Sequence, residues 1–397
     1  MKYSMLNSPA FILVFLYAVQ CKLLTPVLLI PGDGGNQLEG KLDKSHVSHF
    51  YCSKKTDWFT IWLDIESFIL QYQLNCYVNN LKLVYNSKTH QTSNPKGVQI
   101  RWASPGDLSG LKTLDTFGLL GYYETIIDKL KDAGYKEGQS LKGLCYDCRK
   151  AGNELKETMF EMVTLIENMY YENNNKSVCL VSHSMGGLLI LQLLEGRSQD
   201  WKDKYIDSVI AIGTPYFGSV KSIQATVSGY DFGISILPSK KLRKAQRTYP
   251  STAWLFPNPE FWNSTHPVMK TPKRVYTLND YKDIYNDIGF PQLYQMYKDT
   301  TKILDFHPPG VSWHTIYGTG IKTAYRLIYD KDFPNSEPET VDIDGDGTVD
   351  IRSATGSRIW KGKQDKALKF EAINNTKHGD LLKSDAVLKY LRSVLSI

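Results

Sequence analysis

The chain has 397 residues, 42% hydrophobic and 12% aromatic, enough to bury one large or two ordinary domain cores, and this excludes a disordered chain. Its net charge of +6 is interleaved with acids along the whole length, and no Lys/Arg block alternates with aromatics. Nucleic-acid binding is therefore not indicated, and no more than a mild attraction to anionic lipid is expected.

The first residues read as a secretory signal over residues 1–20, with Lys2 ahead of an apolar run from Ala10 to Val19 and polar residues at Gln20 and Lys22. That run is shorter than the roughly 20 residues a bilayer-spanning helix needs, so cleavage near Gln20 or Cys21 is expected, releasing the protein into a lumen or outside the cell. Sequons at Asn175, Asn263 and Asn374 fit a glycosylated secretory product. Six cysteines suit an oxidising route. Cys52 and Cys76 bracket a short segment and are expected to form a disulfide, whereas Cys145 and Cys148 form a C-x-x-C without a second pair to complete a metal site.

The stretch "TPVLLIPGDGGNQLEG" predicts a buried strand running into a tight glycine turn. Next comes "DWFTIWLDIESFILQYQLN", where Trp58, Ile61, Trp62, Ile65, Phe68 and Ile69 share a helical spacing; they predict a core helix or a membrane-docking helix stapled by the disulfide. Helices follow in "YYETIIDKLKDAG" and "NELKETMFEMVTLIENMYYE", and "KSVCLVSHSMGGLLILQLLEG" predicts a strand from Val178 to Val181, a tight turn, and a helix from Met185. "DSVIAIGTPYFGS" and "SWHTIYGTG" are further strands ending in glycine turns. Residues 217–314, long and rich in Tyr, Pro and Lys, read as an inserted cap. Strands alternating with helices predict an α/β fold with a mostly parallel sheet, whose ligands bind beyond the carboxyl ends of the strands.

"VSHSMGG" is the sharpest chemical signal. A serine nucleophile on a strand-to-helix elbow needs small neighbours two residues before and after it; Ser184 has Ser182 and Gly186. In such folds the acid and then the histidine follow in the chain, and of eight histidines only His378 lies beyond the acidic loop "DIDGDGTVDI". That loop matches a calcium-binding template at Asp342, Asp344, Asp346 and Gly347 but has Ser353 where the bidentate glutamate belongs. The catalytic alternative needs one acid held between turns, and Asp346 between Gly345 and Gly347 supplies it. Backbone N–H groups of Met185 and Asp33 are the expected oxyanion donors, with no metal or cofactor required.

The stretches "PGDGGNQLEGKLDK", "CSKKTDWFTIWLD", "GVQIRW", "YDCR", "VSHSMGG", "WKDKYID", "TPYFGS", "QRTYPSTAWLFP", "YGTG" and "GDGTV" together resemble the lecithin–cholesterol acyltransferase family, within it the lysosomal phospholipase A (group XV) branch, along nearly the whole mature length. The resemblance implies an α/β-hydrolase core over 21–397, a membrane-binding subdomain at 50–80, and a cap from about 84–113 and 217–314 with a lid at 229–240. It further implies that Ser184 is the nucleophile, Asp346 the acid, His378 the base, and Asp33 and Met185 the oxyanion donors; Asp33 points to the lysosomal branch. Implied too are phospholipid membranes as partner surface, lipid substrates, a monomer, and a lysosomal or secreted location. The expected activity is a serine phospholipase and O-acyltransferase delivering acyl chains to water or a lipid alcohol such as ceramide. A sterol or diacylglycerol acyltransferase is the alternative, and an inactive lipid- or calcium-binding protein a further one. The chain departs from the family pattern at Cys148 (Tyr-Asp-Cys-Arg), at Tyr216 and Phe217 (Pro-Tyr-Phe-Gly), and in having no second cysteine pair flanking the acid loop.

Overall fold

The computed structural model describes residues 23–66, 73–231 and 237–397. Its centre is a six-stranded parallel sheet of β1 (Val27–Ile30), β2 (Leu141–Gly143), β3 (Val178–His183), β4 (Ile206–Ile212), β5 (Trp313–Thr319) and β6 (Leu368–Asn374), in the order β6-β5-β4-β3-β1-β2. The sequence VLLI makes β1 because this strand has no polar face: all four side chains are fully buried. Val27 and Leu29 join one core cluster with Ile126, Leu130, Leu388 and Leu391, while Leu28 and Ile30 join another with Met162, Ile166, Leu188 and Leu189. Helices α1 (Glu124–Asp132) and α4 (Asp385–Leu395) therefore cover one face, and α2 (Lys156–Glu172) and α3 (Gly186–Glu195) the other. This is an α/β-hydrolase core, with its strands all pointing the same way, as the alternation of apolar runs predicts.

The region between the two cysteines differs from the helix its spacing suggests. Phe59–Trp62 is a strand, paired antiparallel with Leu38–Leu42, which also pairs with Val98–Arg101. Backbone pairing wins over helical spacing here because the neighbouring edge offers partners for every other residue. The expected exposed apolar surface is accordingly absent at three positions: Ile61, Trp62 and Ile65 are buried in the core. Trp58 is half-buried beneath the Arg101 guanidinium, 4.2 Å from its ring, and Phe68 and Ile69 lie outside the described residues. The Cys52–Cys76 disulfide is formed, and Cys145, Cys148 and Cys179 are buried free thiols.

The insertion at 217–314 is more regular than its composition suggests. It holds helices Val220–Val227, Ser239–Gln246, Pro250–Trp254, Tyr281–Asp287 and Gln292–Thr300. Its strand Pro267–Lys270 pairs with Thr323–Ile328, which in turn pairs with Glu339–Ile343, a hairpin between β5 and the acidic loop that the sequence did not reveal. Among the described residues, no helix is long and apolar enough to cross a membrane.

Candidate active site

Five loops meet beyond the carboxyl ends of the sheet strands, and the elbow after β3 is the tightest. Ser184 has φ of 53°, in the left-handed region, and its N–H donates to Ile212 O at 2.8 Å, so the residue is locked where the strand turns into α3. Gly186 and Gly32 have no room for a side chain: a Cβ on Gly186 would lie 2.6 Å from Pro31 O, and one on Gly32 would lie 2.6 Å from Ser184 Cβ. Ser182, at the other small position, fits completely buried, with no hydrogen-bond partner for its hydroxyl among the described residues.

Asp346 lies buried beside the end of β5, through a bridge to Ile321. Its Oδ1 accepts the N–H groups of Val349 (2.7 Å) and Thr348 (2.9 Å), and its Oδ2 lies 2.7 Å from His378 Nδ1. The backbone repeats the link, His378 N–H donating to Asp346 O at 2.9 Å. The carboxylate is thereby fixed in one orientation, and the imidazole borders the cavity it shares with Ser184, with no hydrogen bond to its Nε2 among the described residues. No hydrogen bond joins Ser184 Oγ to His378 among the described residues.

Two of the three other acids of the loop bond elsewhere, and Asp342 is exposed. Asp344 Oδ1 accepts Gly320 N–H at 2.6 Å, while Asp350 caps the turn at Ile351–Ala354 and pairs with Arg352 at 2.9 Å. Ser353, where the calcium template wants glutamate, accepts Phe217 N–H at 3.0 Å and so ties the loop to the start of the 217–314 segment. Among the described residues no group of three or more His, Cys, Asp or Glu is arranged to hold a metal ion.

Asp33 follows β1 and borders the cavity. Burial raises its carboxyl from the ordinary carboxylate range to about 7, against a smaller lowering by a hydrogen bond from the Ser251 hydroxyl at 3.4 Å. The Asp33 and Met185 N–H groups donate to no acceptor among the described residues, and Met185 heads α3, where backbone N–H groups are left unpaired by the helix geometry.

Sequence reasoning missed Tyr122 and, as a participant, His183. His183 Nε2 lies 3.1 Å from His378 O, an atom that can only accept, so Nε2 carries the proton. Burial, and then the neighbouring His378, holds the His183 pKa well below its usual value; the ring is neutral and its Nδ1 is an acceptor. Tyr122 must then donate to it, at 2.6 Å, while accepting Gly32 N–H at 3.1 Å. One directional chain thus joins the turn bearing Asp33, the elbow and the loop bearing His378. Nothing in the spacing of these residues links them; only the shared position after β3 hints at His183.

The cavity holds about 670 Å³ and is lined by Ser184, His378, Asp33 and the apolar side chains of Trp62, Leu114, Leu120, Ala225 and Leu255. Trp62 donates its Nε1–H to Gly34 O at 2.9 Å, so its indole is a fixed wall. None of the residues that depart from the family pattern, Cys148, Tyr216 and Phe217, lines the cavity. Cys148 is a buried thiol, Tyr216 bonds Trp313 Nε1 at 2.7 Å, and Phe217 stacks on Phe261 with ring centroids 4.2 Å apart. Of the predicted lid, Tyr230 is tied to Thr348 Oγ1 at 3.2 Å, and residues 232–236 lie outside the described residues.

A nucleophile on a strained elbow, a base oriented by a buried acid, two unpaired N–H groups and an apolar cavity can together perform acyl transfer through a covalent ester. The sequence profile of lecithin:cholesterol acyltransferases matches residues 58–307. A protein from Bos taurus named lysosomal phospholipase A and acyltransferase is 38% identical over 93% of this chain and 91% of its own, and one of that name from Homo sapiens is 37% identical over 93% and 90%. A phosphatidylcholine-sterol acyltransferase from Mus musculus is 35% identical over 93% and 85%. Among solved structures, a chain of the Tle4–Tli4 complex shares the fold with a TM-score of 0.51 at 13% identity, over 94% of this chain and 99% of that one.

Proposed function

Since the chain belongs to the lecithin:cholesterol acyltransferase family, we propose that it is a serine phospholipase A and O-acyltransferase acting on membrane glycerophospholipids in a lumenal or extracellular setting. Ser184 Oγ attacks the ester carbonyl while His378 Nε2 takes its proton. Asp346, fixed by three N–H groups, including that of His378, holds the imidazole and stabilises its cation. The tetrahedral oxyanion is received by the N–H groups of Asp33 and Met185. His378 then returns the proton to the departing lysophospholipid oxygen, leaving the acyl chain on Ser184 among the apolar side chains of the cavity. Water, or the hydroxyl of a lipid alcohol, gives its proton to His378 and attacks the ester in turn; the bond from the acyl carbon to Ser184 Oγ breaks, His378 returns the proton to Oγ, and the fatty acid or acylated alcohol leaves. The proposal also includes a cap from 84–113 and 217–314 with a lid at 229–240, a membrane-facing subdomain at 50–80, and action as a monomer.

The observation that carries this reading is the 2.7 Å contact of His378 with Asp346 in the same cavity as Ser184. Purified protein on phosphatidylcholine vesicles should release fatty acid and lysophospholipid, and with ceramide in the vesicles should also form an acylated ceramide. Ser184→Ala should lose both products; survival of either would sink the serine mechanism. The relatives named phosphatidylcholine-sterol acyltransferase favour a second reading, in which sterol is the preferred acceptor. It predicts that cholesterol in the vesicles outcompetes both water and ceramide.

A further inference from the structure

The loop between the turn at Lys112 and α1 carries four consecutive exposed residues, Thr116 to Leu119, two of them large and apolar: Phe117 is 58% exposed and Leu119 72%. It is flanked by Leu114 and Leu120, which line the cavity, so its tip lies at the cavity rim. The loop is rigid. Its base is closed by the Thr113–Gly121 bridge and by Leu114 N–H donating to Leu120 O at 2.9 Å, and Leu63 N–H fastens it to the disulfide-bearing segment through Leu114 O at 2.7 Å.

Its polar backbone is turned inward. The buried Asp115 carboxylate accepts N–H groups from Phe117 (2.9 Å), Leu119 (3.2 Å) and Leu120 (2.6 Å), and the Asp115 carbonyl accepts that of Gly118 at 3.4 Å. Such side-chain-to-backbone bonds are common in exposed turns; here they leave these N–H groups paired without water, as a loop entering the apolar boundary of a bilayer requires, because each unpaired group there costs several kcal/mol. Charge agrees: Lys377 and Lys383 also line the cavity and are exposed, and neither forms an ion pair among the described residues, with Asp380 the one acid between them.

We propose that residues 116–119 insert into the surface of a phospholipid bilayer, with Phe117 and Leu119 in the acyl boundary and the two lysines over anionic headgroups. The inserted loop brings the cavity mouth to the lipid. This rests on the lipid-acting reading above and deepens it: with Ile61, Trp62 and Ile65 buried, this loop adds an apolar anchor to the membrane-facing 50–80 segment, where Phe50 is 98% exposed.

The test uses the full chain and vesicles of phosphatidylcholine with an anionic phosphatidylglycerol fraction. A Phe117→Ser, Leu119→Ser double variant should partition onto vesicles about tenfold to a hundredfold more weakly and lose vesicle hydrolysis to match. Its turnover of a monomeric short-chain nitrophenyl ester should stay at the native level. Phe160→Ser, which removes an equally exposed ring on α2, should bind vesicles as the native protein does. Native vesicle binding by the double variant, or an equal loss in Phe160→Ser, overturns the proposal. A Phe117→Cys variant carrying an environment-sensitive dye guards against misfolding of the double variant: its emission should shift to the blue on vesicle addition, and an unchanged spectrum overturns the proposal. A blue shift in a native-like protein that hydrolyses neither substrate would support the docking loop while the enzymatic reading fails.

Discussion

A carboxyl group beside a forming oxyanion is tolerable only while it keeps its proton. Burial brings the Asp33 carboxyl to about 7, so the neutral form prevails in acid and is lost as pH rises through that value. Acyl transfer by the native protein should therefore fall above about pH 7 in step with Asp33 ionisation, and Asp33→Asn should extend the activity plateau to higher pH; a pH–rate profile of both proteins checks this. Stability follows the same sign. The folded-state pKa lies above the unfolded one, so the folded chain holds the extra proton between about 4 and 7 and stability declines as pH rises across that window. Asp33→Asn should flatten that decline in thermal melts. Tyr122 acts at one remove, by holding the Asp33 turn and the neutral His183 together. Tyr122→Phe should cost about 1–2 kcal/mol of transition-state stabilisation, roughly a tenfold drop in kcat with KM little changed, measured on a monomeric ester.

The elements show which sequence signals carry structure and which do not. Short apolar runs ending in glycine specify the sheet strands, because a strand buried on both faces has no other composition available, and chain order relative to those strands is what proposes Ser184, Asp346 and His378, which line one cavity. The segment from Trp58 to Ile65 reads as a helix from the spacing of positions 58, 61, 62 and 65, yet Phe59–Trp62 is a strand. Pairing with Leu38–Leu42 decided it, and pairing is not written in local spacing. The hairpin Thr323–Ile343 went unseen for the same reason: its strand Glu339–Ile343 is largely exposed and polar, without apolar alternation. Tyr122 and His183 meet only through the fold. Two substitutions probe these elements. Opening the Cys52–Cys76 link by Cys76→Ser releases a 24-residue loop and should cost about 3 kcal/mol of stability, read by denaturant unfolding. Ser182→Ala removes a buried hydroxyl that has no partner among the described residues, and should leave stability unchanged or raise it by about 1 kcal/mol, again by denaturant unfolding.

At the scale of the whole molecule, a parallel sheet delivers its loops to one edge, residues 217–314 and the disulfide-bearing segment add apolar side chains to the cavity there, and the loop at 116–119 lies beside it. The arrangement suits a substrate whose acyl chain must leave a bilayer without crossing water. Every step of the account passes through an ester on Ser184. The most direct measurement is mass spectrometry of acid-quenched protein taken during turnover of phospholipid vesicles. A fatty-acyl mass increment is expected on the peptide containing Ser184, absent in Ser184→Ala and diminished when a lipid alcohol is added. Turnover without that increment, or persisting in Ser184→Ala, would contradict it.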